Sequence, residues 1–226
     1  MSVSTVPEVI ARMRAIAAEN PAPDGAGVFN GVYLRVTENM SDRLSAGGFF
    51  TDGAFMTELT VRFADYWFAA YESGDTVPPA WEPLLTTRFH RGVLPIQFAL
   101  AGMNAHIEND LPLAVLGTCL ARHRTPDSPG VRSDYDKVNA LLSDAEAEIR
   151  RSFLNELEKA VDDHLAPVAH LVSSWSIDKA RDFAWVTTQT LWEVRRLEQL
   201  YRALLSGIEH TVGMGSRLLL TPGGRV

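Results

Sequence analysis

Cysteine is almost missing from this chain: Cys119 stands alone among 226 residues, which excludes an internal disulfide framework and fits a reducing, cytoplasmic compartment. Its neighbours Leu116, Leu120 and Ala121 mark a buried, inert thiol rather than a nucleophile. Positive charge is also scarce. The 21 Lys and Arg are outnumbered by 28 Asp and Glu, giving a net charge of −7, and no basic cluster reverses that field, so nucleic acid and anionic membrane surfaces are not expected partners. The longest apolar stretch, Ile96 to Leu120, is broken by polar residues and predicts no membrane span. The first twenty residues lack the apolar centre of a signal peptide and read as a helix. Alternating β-branched runs, a P-loop, GxGxxG, a kinase signature, a GxSxG elbow, His-Glu-x-x-His and Glu-x-x-His are all absent.

What remains is helical periodicity. At 46% hydrophobic residues the chain can bury one full core, and the expectation is an all-α, single-domain bundle over 1–226, of six or seven helices, with a flexible tail from about 213. Thr5-Val6-Pro7-Glu8 opens a first helix as a capping box with proline in its first turn, and Pro21, Pro23 and Gly25 stop it. Val28, Val32, Val36, Met40 and Leu44 recur every fourth residue beside Phe29 and Tyr33, ending at Gly47. A third helix covers about Ala54 to Glu72, with Phe55, Leu59, Phe63, Tyr66 and Trp67 as its stripe. Trp81 lies in a proline-rich loop and packs back onto the body, with a lid role as the alternative. A capping box at Ser133 to Asp136, whose acids cap and favour a helix N-terminus, starts a long helix running to about Leu165, where Pro167 breaks it. A last long helix runs from about Ile177 to His210 with Phe183, Leu191, Val194, Tyr201, Leu204 and Ile208 on its core face. On that helix Trp185 and Trp192 are expected on a second face, which meets another layer of the bundle, a pocket, or the partner of a homodimer.

The informative segment is GMNAHIENDLPLAV, starting at Gly102. It places Asn104, His106, Glu108, Asn109 and Asp110 in an otherwise apolar helix that begins at Pro95 and is expected to kink at Pro112. Each polar group left unpaired in such a helix costs roughly 1–3 kcal/mol, so five within seven residues point to a polar network, a lined cavity or a ligand. With its flanks from Gln97 to Val115, the segment resembles an all-helical family common in actinobacteria that is catalogued only as a domain of unknown function. The resemblance rests on Asn104, Ala105, His106, Asp110, Leu111 and Pro112, with Asp134, Val138 and Asn139 in support, and extends roughly from Phe29 to Leu205. It implies that His106 and Asp110 form one unit and supplies no chemistry.

His106 and Asp110 are four residues apart and share a helix face, the spacing at which a carboxylate can fix an imidazole tautomer and free the far nitrogen for a proton. A stitching His–Asp hydrogen bond is the plain structural alternative. The functional expectation is a cytoplasmic small-molecule enzyme without cofactor or metal. His106 and Asp110 act as its acid–base pair, and Asn104, Asn109, Glu108, Gln97 and Asn139 bind substrate in an enclosed helical pocket. The reaction classes open to it are isomerisation, cyclisation, elimination or hydrolysis. Two alternatives stand beside it: a non-catalytic binding or interaction protein, and a metal-dependent hydrolase that would recruit Asp163, His164 and His170, or His210, to His106 and Asp110.

Overall fold

The computed structural model describes residues 3–20, 23–139, 141–142 and 174–222. Its architecture is all-helical, and no strand occurs among the described residues. Eight α-helices are bounded there: α1 (Val6–Glu19), α2 (Gly25–Ala46), α3 (Gly53–Tyr71), α4 (Glu82–Thr87), α5 (Pro95–Ala105), α6 (Leu111–Ala121), α7 (Ile177–Val194) and α8 (Glu198–Leu219). Residues 131–139 add a further helical run. The expected end of that helix near Leu165, with Pro167, lies outside the described residues.

The local signals act as the sequence suggests. Thr5 caps α1 by accepting from the Glu8 amide at 3.3 Å, and the Glu8 carboxylate reaches back to Ser4. Asp24 caps α2, accepting from the Ala26 amide at 2.8 Å while its carboxylate is gripped by Arg88. Gly47, at φ 67°, closes α2 in a conformation that suits glycine.

One long helical rod threads the centre. It is α5 continued through a five-residue π-helical turn, His106–Asp110, into α6. Pro112 explains the π turn. It has no N–H to give the Glu108 carbonyl four residues back and its ring presses on that turn, so the helix widens and the Leu111 amide bonds to the His106 carbonyl instead. Packed around the rod, α2 and α8 lie on α5, α3 and α7 on α6, and α3, α7 and α8 all touch the π turn.

The C-terminal helices depart from expectation in three ways. The single helix from Ile177 to His210 is two, divided at Arg195–Leu197. Phe183 is exposed where a core position was expected, although Leu191 of the same expected face is buried, and Trp185 packs inward against the ring of Tyr135. Helix α8 also continues through Gly213 to Leu219 where a flexible tail was expected. Gly213 is a point of close approach rather than a stop, because a Cβ there would overlap the Pro79 carbonyl.

Candidate functional site

The π turn builds the site. His106 and Asp110 are both buried, each 2% exposed, and His106 Nδ1 lies 2.9 Å from Asp110 Oδ2. Asp110 collects two further donors: the indole N–H of Trp81 reaches Oδ2 at 3.0 Å, and the Asn109 amide reaches Oδ1 at 2.8 Å. With both donors in place Oδ2 can still accept from an Nδ1–H of His106, a tautomer in which the far nitrogen carries no proton. The other ring nitrogen, Nε2, is then an acceptor, and it is buried without a hydrogen-bond partner.

Aromatic rings enclose the imidazole. Phe63 of α3 stacks flat on it, Tyr33 and Phe29 of α2 meet it edge-on with centroids at 4.4 and 5.7 Å, and Trp81 leans against it at 5.9 Å. Burial in this cage lowers the His106 pKa below its usual 6.5, and the hydrogen bond and charge of Asp110 offset that only in part. The ring is therefore neutral at physiological pH. The Tyr33 hydroxyl is buried nearby without a partner, and the same burial raises its pKa well above 10.0. The Thr37 hydroxyl beside it is committed to the Tyr33 carbonyl at 2.9 Å.

His106 is one wall of an apolar cavity of about 90 Å³. Val32, Val36 and Met40 of α2, Met56 and Leu59 of α3, and Met103, Ile107 and Leu111 of the rod supply most of its surface. Tyr135, Val138, Leu142, Ile177 and Arg181 complete the lining.

The remaining expected site residues stand elsewhere. Asn104 donates to the Val212 carbonyl at 3.1 Å and to Ser216 Oγ at 3.2 Å, and Gln97 donates to the carbonyls of Leu219 and Thr221, so both bind α5 to α8 and its C-terminal end. Asn139 accepts from Arg181. Asn109 serves Asp110, and its own Oδ1 is buried without a partner. Glu108 is half-buried, and burial pushes its carboxyl up to about 7. None of these five lines the cavity. Asp134 does not cap its own helix. It accepts from the Thr51 and Asp52 amides at 2.9 and 2.7 Å and thereby anchors the entry to α3.

Trp81, Phe63 and Arg181 are the site residues that sequence reasoning did not nominate. The only available signals were a tryptophan in a proline-rich loop and an arginine four residues before Trp185 on the inward face of α7. For metal binding, Asp163, His164 and His170 lie outside the described residues. His210 is exposed, with Nδ1 at 2.8 Å from the Ser206 carbonyl. No group of three or more His, Cys, Asp or Glu among the described residues could hold a metal ion. No described helix is long and apolar enough to cross a membrane.

The chain belongs to a family of unknown function, DUF5995, whose model matches residues 6–222. No curated protein and no solved structure matches it.

Proposed function

We propose that the chain binds an apolar small molecule in this cavity and that His106, oriented by Asp110, exchanges a proton with it. One observation carries the reading: Nε2 is buried with no hydrogen-bond partner, on a ring that walls a cavity. Leaving such a group unsatisfied costs roughly 1–3 kcal/mol, a penalty that a ligand X–H would remove.

With its Nδ1–H donated to Asp110, Nε2 is the basic nitrogen. Taking a proton from a C–H or O–H of the ligand leaves the electron pair on the ligand and turns the dyad into an imidazolium–carboxylate pair, a charge that Asp110 is already placed to balance. Returning that proton to another atom completes an isomerisation, while cyclisation and elimination share the first step. Hydrolysis is less favoured, because the apolar walls give an attacking water few partners. A positioned base contributes about 10²–10⁴-fold to rate. A second reading keeps the ligand and drops the chemistry: the lowered pKa of His106 also suits an acceptor that stays neutral and only hydrogen-bonds a passenger.

Deuterium exchange at the activated C–H of phenylacetone in D₂O, followed by proton NMR, separates the two. The acid–base reading expects exchange accelerated over buffer by the wild type and returned to the buffer rate by His106→Gln, which keeps a hydrogen-bonding side chain but has no useful pKa. Binding of phenylacetone without accelerated exchange would support the passenger reading, and absence of binding would count against both.

A further inference from the structure

Arg181 lines the same cavity. It is 4% exposed on α7, in the company of Ile177, Ala184 and Trp185. Its Nε donates to Asn139 Oδ1 and one terminal nitrogen donates to the Tyr135 carbonyl, both neutral oxygens, while the guanidinium lies 4.0 Å over the Tyr135 ring. Among the described residues no carboxylate comes within ion-pair distance of it. Burial makes its charge unfavourable and lowers the Arg181 pKa, an effect that the charges of Asp136 and Asp178 offset only in part. Guanidinium carries five N–H donors, and among the described residues two of its nitrogens, Nε and one terminal nitrogen, are committed to protein oxygens.

The helices fix where Arg181 lies relative to His106. Phe63 of α3 stacks on His106, and Met56, seven residues earlier, lines the same cavity, a distance of about 10 Å along a helix. Tyr135, the partner of Arg181, follows Asp134, which is anchored to the Thr51 and Asp52 amides at the start of α3. This order along α3 sets Arg181 toward the start of α3 and His106 toward Phe63, with apolar side chains lining the cavity between them.

We propose that the ligand is an apolar carboxylic acid, its carboxylate paired with Arg181 and its hydrocarbon body lying along Met40, Met56 and Ile107 toward His106. This rests on the reading of the cavity as a ligand site. Charge decides the direction of entry. Asp110 already places a buried anion beside His106, so a second carboxylate is repelled from that end and attracted to Arg181. The three methionines, Met40, Met56 and Met103, give the walls the adaptability that a flexible chain needs.

Calorimetric titration of octanoate and of 1-octanol tests this on the full chain. The wild type binds octanoate about ten- to a hundredfold more tightly than the alcohol, the range expected of a charge-assisted hydrogen-bonded pair. Arg181→Gln abolishes the preference, read as the ratio of octanoate to 1-octanol affinity, and Arg181→Lys retains part of it. If Arg181→Gln does not fold, the wild type and Arg181→Lys decide. Equal affinity for acid and alcohol would overturn the carboxylate assignment while leaving the cavity reading intact. Binding of neither would overturn both.

Discussion

Phe63 lies flat on His106, the two rings 3.5 Å apart between centroids and 6° from parallel. The contact joins α3 to the π turn and removes water from one face of the imidazole, which lowers its pKa. A histidine kept neutral in the fold but charged in the unfolded chain makes stability pH-dependent. The contribution is present above the unfolded value of 6.5 and is lost as pH falls below it. Phe63→Ala hydrates that face, so NMR titration of His106 in this variant shows its pKa moved up toward 6.5, with a shallower loss of stability in acid.

Trp81 holds Asp110 from a loop. Trp81→Phe keeps most of the ring packing but removes the indole donor at 3.0 Å from Oδ2, and leaving a buried carboxylate short of one partner costs about 1–3 kcal/mol. Urea denaturation at pH 7 measures that loss. A change close to zero would mean that Asp110 does not depend on the indole.

Glu108 has the opposite sign to a paired carboxylate. Its folded pKa is raised from 4.5 to about 7 by burial, so the native state favours the protonated acid and stability falls as pH rises through that window. Glu108→Gln removes the effect. Discounted for partial exposure, the variant is expected to be more stable than wild type by about 1–2 kcal/mol at pH 8 and indistinguishable from it at pH 4, by thermal or denaturant melts at both values.

The helical frame was legible because every helix buries a stripe, and stripes such as Val32, Val36 and Met40 follow from spacing alone. Polar residues in an apolar helix correctly marked the rod as unusual. Their destinations could not be read, because the partners of Asn104 and Gln97 lie more than a hundred residues away on α8 and just beyond it. Pro112 announced a distortion but not its form, since a kink and a π turn both relieve a missing amide proton. Arg181 escaped notice because an arginine on an amphipathic helix ordinarily faces water, and its burial depends on Tyr135 and the residue 139 side chain arriving from another part of the chain. Gly213 looked like a helix stop for a similar reason, as its neighbour Pro79 is distant in sequence.

Which nitrogen of His106 carries the proton decides whether the cavity faces a base. Nitrogen-15 NMR of selectively labelled histidine at neutral pH reads this without knowledge of the substrate. The predicted result is a protonated Nδ1 and an unprotonated Nε2 in the free protein, with phenol, a small apolar donor, shifting Nε2 and leaving Nδ1 in place. A proton found on Nε2, with Nδ1 as the acceptor toward a protonated Asp110, would contradict the account, because the cavity would then face no base.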